Sequence, residues 1–213
     1  MEGNLLKKFD LFVFDWDGTL SKSIRIFTQK VDPFWKYKKM RYGRVGRGAK
    51  AGRAADVLVT RHGSKIERRM LLPIADISLF FIKPSLYPDA KEVLEILKKK
   101  GKRIVLFTNG ASYRVLRELK YLGLVDYFDA IVSAQDLKAL KPNPQGLEIA
   151  VKRFKVKKSR TLYIGDMVDD VMMARFAKAR SCALAQGFDK YEILKSSRPD
   201  YLFRDIRGFR RAL

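Results

Sequence analysis

The chain has 213 residues, 47% of them hydrophobic, which is enough to bury one substantial core with room for a small second domain. Its 45 Lys and Arg outnumber 23 Asp and Glu, for a net charge of +22, and favour anionic partners: nucleic acid, an anionic membrane surface or phosphorylated small molecules. The single Cys and single His exclude an internal disulfide and disfavour both a His-based metal site and a Ser-His-Asp triad.

Near the start, Leu11 to Phe14 is a continuous apolar run that predicts a buried strand. Two carboxylates, Asp15 and Asp17, follow at once, and Gly18 lets the backbone turn and approach a ligand. Acids that close repel each other unless a cation lies between them or one holds a proton, so a divalent metal or a phosphoryl group accounts for the pair. No apolar run is long enough to span a bilayer, and no signal peptide is visible before Asp15, which predicts a cytoplasmic protein without a membrane span. From Ser21 to Tyr87 the α/β pattern stops, and 16 Lys and Arg face only 4 Asp and Glu. This stretch reads as mostly helical, with a glycine-rich basic connector at Tyr42 to Arg53. That connector fits neither a P-loop, since Ala49 stands where Lys is needed, nor G-x-G-x-x-G.

From Pro88 helices and strands alternate. Ala90, Val93, Leu94 and Leu97 form one helical face, ended by Gly101. Arg103 to Phe107 predicts a strand, followed by Thr108-Asn109-Gly110. Ser112 to Leu122 predicts a helix with Val115, Leu116, Leu119 and Leu122 inward. Ala130 to Ser133 is a short strand, and Lys141-Pro142-Asn143-Pro144 opens a helix that runs to Phe154. Thr161 to Ile164 is a strand that ends in Gly165-Asp166-Met167-Val168-Asp169-Asp170. A helix to Lys178, a strand at Cys182 to Ala185, a helix near Tyr191 and a strand at Tyr201 to Phe203 complete the pattern. Cys182 lies in an apolar run and reads as a core residue. Alternation of this kind predicts an α/β fold, a Rossmann-like, mostly parallel sheet with helices on both faces. The polar motif after each strand then falls on the carboxyl edge, where such sheets bind ligands.

Four of these motifs together, Asp15-x-Asp17-Gly18-Thr19-Leu20, Thr108-Asn109-Gly110, Lys141-Pro142 and Gly165-Asp166 with Asp170, resemble the haloacid dehalogenase superfamily, in the order that family shows. The likeness covers about Asp10 to Leu20 and Pro88 to Phe203. It implies a catalytic core from 1–20 and 88–213, with a small basic helical cap at 21–87 inserted after the first strand. It further implies a phosphatase in which Asp15 attacks phosphorus to form an aspartyl-phosphate, and Asp17 protonates the leaving oxygen and then activates water. Thr108 would donate to a phosphoryl oxygen, with Asn109 and Gly110 beside it, and Lys141 would offset the negative charge. Mg²⁺ would be held by Asp15, the Asp17 main-chain carbonyl and Asp166, with Asp170 acting through water or by orienting Lys141. Asp17 favours phosphate over halide chemistry, because a halide leaves without a proton. The expected substrate is a small phosphorylated metabolite, further anionic groups of which the basic segment would meet through Arg25, Lys36, Arg44, Arg47 or Arg53. A phosphomutase, or a nucleic-acid-associated protein acting as a 3′-phosphatase or as a binder, stands as the alternative. Trp35, Tyr37 and Tyr42 among basic residues would suit base stacking, but they also suit an amphipathic cap helix.

Overall fold

The computed structural model describes residues 5–23, 83–133, 136–137 and 139–213. The expected cap helices, the glycine-rich connector and the basic candidates between Arg25 and Arg53 lie outside the described residues. In chain order the elements are α1 (Leu5–Lys8), β1 (Leu11–Phe14), α2 (Ala90–Lys99), β2 (Arg103–Phe107), α3 (Ser112–Leu122), β3 (Ala130–Val132) and α4 (Gln145–Phe154). They continue with β4 (Thr161–Gly165), α5 (Val168–Phe176), β5 (Arg180–Leu184), α6 (Tyr191–Ser196), β6 (Tyr201–Phe203) and α7 (Ile206–Arg211). The strands form one sheet in the order β3-β2-β1-β4-β5-β6, and every pair is parallel.

The apolar run of β1 is explained by its place. It lies between β2 and β4, and its alternate residues feed two cores. Phe12 and Phe14 pack with Ile104, Leu106, Leu162, Ile164 and the buried faces of α2 and α7; Leu11 and Val13 pack on the other side with Val105, Phe107, Tyr163 and Leu147 of α4. Ala90, Val93, Leu94 and Leu97 are the buried face of α2, as their spacing predicts. Two elements carry no strong sequence signal: α1 and α7 are short, and they close on each other where the Leu5 N–H donates to the Ala212 carbonyl at 3.1 Å. Phe209 of α7 meets Phe14 edge to face at 6.1 Å between centroids.

The structure departs from expectation at the start of one strand, the end of one helix and the face of another. Strand β5 starts at Arg180 rather than Cys182, because Arg180 and Ser181 pair with Leu162 and Tyr163 and the Ser181 N–H donates to Asp200 at 2.9 Å. Helix α5 stops at Phe176, before Lys178 takes a left-handed φ of 59°. In α3 Leu116 points outward, 37% exposed, while Arg114 and Glu118 are buried beside Val115 and Leu119.

The segments that end at Ser23 and begin at Lys83 run along paired paths. Lys22 N–H donates to Ser85 at 3.0 Å and Tyr87 N–H to Leu20 at 2.9 Å. The described residues on either side of 24–82 thus lie next to each other, beside the end of β1. No helix among the described residues is long and apolar enough to cross a membrane.

Candidate active site

Parallel strands place their carboxyl ends on one edge, and the register β1-β2 and β1-β4 sets Asp15 between the ends of those neighbours. The Asp15 N–H continues the ladder to the Ile164 carbonyl at 2.9 Å. Its carboxylate accepts from Lys141 Nζ at 2.5 Å, and the same ammonium meets Asp170 Oδ1 at 3.0 Å. Lys141 is buried, and its Nζ lies 4.9 Å from the ring centroid of Phe107 and 5.2 Å from that of Tyr163. Against the cost of burial, the carboxylates of Asp15 and Asp170 keep its pKa above the ordinary lysine value. Asp170 thus shares the Lys141 ammonium with Asp15. Its other oxygen accepts from the backbone N–H groups of Asp166 at 3.1 Å and Met167 at 3.0 Å, which also caps α5.

Asp166, at the end of β4, is fully buried. Thr19 Oγ1 donates to one of its oxygens at 2.8 Å and the Phe188 N–H to the other at 2.7 Å. Gly18 makes this approach possible: its φ is +90°, and a Cβ there would strike the Asp166 carboxylate. Asp15, Asp166 and Asp170 each offer one carboxylate oxygen, all within 4.8 Å of one another. The donors are all hard oxygens and suit Mg²⁺. Against three buried carboxylates Lys141 supplies one positive charge. Accordingly burial, with Asp15 and Asp170 nearby, raises the Asp166 pKa well above the carboxylate range. A divalent cation displaces the proton that such a buried carboxyl would otherwise hold, so these residues fit the ion.

Burial also pushes the Asp15 pKa up to about 7, opposed by Lys141 and aided by Asp170. For a carboxyl raised from 3.8, the folded state binds the extra proton in between. That contribution to stability is full below the unfolded value and is lost as pH rises through about 7. Metal-free protein should therefore gain little from Mg²⁺ at pH 5 and much more at pH 8, on the order of 5–10 °C in Tm at saturating ion. Thermal melts with EDTA or Mg²⁺ at the two pH values measure this; equal shifts at both would contradict it.

Asp17 leaves the acidic cluster. Arg114 of α3 donates through Nη1 to Asp17 Oδ1 at 3.0 Å and through Nη2 to Oδ2. Arg114 Nη1 also donates to Glu118 Oε1 at 3.0 Å, and the Trp16 indole N–H donates to Glu118 Oε2 at 2.7 Å. The Asp17 side chain is thus bound to a guanidinium, and among the described residues the cluster suited to a metal contains Asp15, Asp166 and Asp170 without it. Thr108 is buried at the end of β2, and its Oγ1 accepts from the Gly110 N–H at 2.9 Å. Asn109 Oδ1 accepts the Lys141 backbone N–H at 3.3 Å and ties this turn to the lysine loop. Asp169 lies in the first turn of α5.

Sequence reasoning did not single out Arg114, Glu118, Tyr163, Asp189 or Gln186. Asp189 accepts the Val168 N–H at 2.9 Å at the start of α5. Gln186 donates to the Thr19 carbonyl at 2.7 Å and accepts from Ile206 at 2.8 Å. The one available signal is the i,i+4 spacing of Arg114 and Glu118 between Val115 and Leu119. Cys182 is buried, and burial raises its thiol pKa, as a core residue requires.

The family model for haloacid dehalogenase-like hydrolases matches residues 9–178. A phosphoglycolate phosphatase from Mannheimia succiniciproducens is 26% identical over 214 residues, covering 93% of this chain and 96% of its own. A phosphoglycolate phosphatase from Nitrosococcus oceani is 35% identical over 115 residues, about half of each protein. Among solved structures, one from Haemophilus somnus 129PT, called a predicted phosphoglycolate phosphatase, superposes with a TM-score of 0.72 at 24% identity over 95% of this chain and 96% of that one. At that identity the likeness is one of fold, and it agrees with the six-stranded parallel sheet seen here. With the match spanning both the Asp15 motif and the Asp166 motif, the chain belongs to the haloacid dehalogenase-like hydrolases.

Proposed function

We propose that this hydrolase is a Mg²⁺-dependent phosphatase that cleaves a small phosphate monoester through a phosphoryl group carried by Asp15. One observation carries the reading: two carboxylates one residue apart are held by different cations, Asp15 by Lys141 and Asp17 by Arg114. Separate partners fix the two acids in separate places, so that one can act on phosphorus while the other meets the leaving oxygen.

An Asp15 oxygen forms the bond to phosphorus while the ester oxygen leaves with a proton from Asp17. Water then attacks the same phosphorus, gives its proton to Asp17 and restores the Asp15 carboxylate. Lys141, in contact with Asp15, balances charge on the nucleophile and the transferring group. Thr108 and the Asn109–Gly110 turn face the same edge from β2 and would take the phosphoryl oxygens. Asp15, the Asp17 carbonyl and Asp166 would hold Mg²⁺, with Asp170 beside them holding Lys141; once bound, the ion neutralises phosphoryl charge in a water-poor site.

The names of the relatives make 2-phosphoglycolate the first substrate to try. The test is phosphate release from 2-phosphoglycolate, glucose 1-phosphate, an aryl phosphate and a 3′-phosphorylated oligonucleotide, with Mg²⁺ or with EDTA. Release from at least one small ester with Mg²⁺, and none with EDTA, is expected. Release undiminished by EDTA would contradict the metal assignment, and phosphate retained on a sugar product would make the protein a mutase.

A further inference from the structure

Arg114 is 2% exposed and Glu118 1%, both charged and both on the helix that begins just after the Thr108-Asn109-Gly110 turn. A buried ion pair is a poor stabilising device, since well-packed apolar residues of similar volume do as well or better. As a pair in α3, Arg114 and Glu118 already satisfy each other at 3.0 Å. Yet the guanidinium also reaches Asp17, whose side chain is 13% exposed. Glu118 in turn takes the indole N–H of Trp16. Both residues that follow Asp15 are therefore tied to α3, one through Glu118 and one through Arg114. Gly110 leaves the room. A Cβ there would strike the Arg114 guanidinium and lie 3.2 Å from Thr108 Oγ1 and 3.3 Å from Asp17 Oδ2.

Resting on the phosphatase reading above, we propose that Arg114 is the positioning residue for Asp17. It registers the proton-carrying carboxylate against the phosphoryl-binding turn of its own helix, with Glu118 and Trp16 as its backing. Two oxygens gripped by a planar fork fix the carboxylate in rotation as well as in place, which a single point charge does not do.

A misaimed acid matters only where the leaving group needs a proton. The test is therefore kcat/KM of native protein, Arg114→Met, Arg114→Lys and Glu118→Gln on two esters. One is 2-phosphoglycolate, an alkyl ester with a poor leaving group; the other is 2,4-dinitrophenyl phosphate, which leaves as a stable phenolate. Because kcat/KM stops at the first phosphoryl transfer, the later use of Asp17 as a base does not enter. Arg114→Met should lose ~10²-fold on the alkyl ester and less than about fivefold on the dinitrophenyl ester, with Arg114→Lys between it and native protein. Should Arg114→Met not fold, as thermal melting will show, Arg114→Lys and Glu118→Gln carry the comparison with the same selective loss. Equal losses on both esters, no loss on either, or a gain on the alkyl ester would overturn the proposal while the phosphatase reading stands. Native protein inactive on both esters and on the rest of the panel would remove that reading, and this one with it.

Discussion

Asp15→Asn should abolish phosphate release, by about 10⁴-fold or more, and leave the protein folded. The amide matches the carboxylate in shape, and its oxygen can still accept the Lys141 ammonium that now binds Asp15 at 2.5 Å. What it loses is the anionic oxygen that attacks phosphorus. Stability moves little because two effects oppose. The Lys141 attraction weakens, but so does the repulsion from Asp166 and Asp170, and a desolvated charge disappears. Without Mg²⁺ the variant should melt at or above the native temperature, and Mg²⁺ should raise its melting point less than it does for the native protein. Rapid acid quench and intact-mass measurement should find a phosphoryl group on native protein during turnover and none on the variant. Turnover within about tenfold of native would reject Asp15 as the nucleophile.

Lys141→Met should be harmful in a different way. The side chain keeps most of its length and loses the ammonium that, among the described residues, touches both Asp15 and Asp170. Three buried carboxylates then share one small space, and breaking a buried pair by removing one partner costs about 3–5 kcal/mol. Lost stabilisation of the transferring group should lower kcat/KM by 10²–10³, on the order of one oxyanion contact. The stability loss has a clear pH sign. Lys141 has a raised pKa, so in native protein its contribution is full at neutral pH and fades only in strong alkali. In the variant Asp15, no longer opposed by Lys141, binds its proton more tightly than now, so stability falls as pH rises. Denaturant unfolding in EDTA should show a small deficit at pH 5 and the full one at pH 8, partly restored by Mg²⁺. A variant as stable as native protein at pH 8 would mean that the carboxylates are relieved by something other than Lys141.

Much of this site is legible in the order of residues. Apolar runs such as Leu11 to Phe14 specify buried strands because a strand covered on both faces cannot carry polar side chains. The motif after each run then has only one edge to occupy. Asp15, Thr108, Lys141 and Asp166 need no knowledge of packing to be brought together. Helix α3 shows the opposite case. Its apolar residues Val115, Leu116, Leu119 and Leu122 suggest one inward face, yet Leu116 lies at the surface and Arg114 and Glu118 are inside. Periodicity places a face to within about a third of a turn, and charged residues beside it are ordinarily solvated. Which of them turns inward is decided by an acid nearly a hundred positions earlier in the chain.

The α/β class, the shared edge and the set of acids follow from local rules: side-chain period, turn chemistry and the parallel sense of the strands. The pairing of charges at that edge is a property of the packed molecule. Lys141 goes to Asp15 and Asp170, Arg114 to Asp17 and Glu118, and Asp166 to the hydroxyl of Thr19 and the backbone of Phe188. Pairing of buried charges depends on distances of a few ångströms between segments far apart in the chain. Coulomb energies and desolvation costs change steeply over such distances, and residue order alone does not encode them.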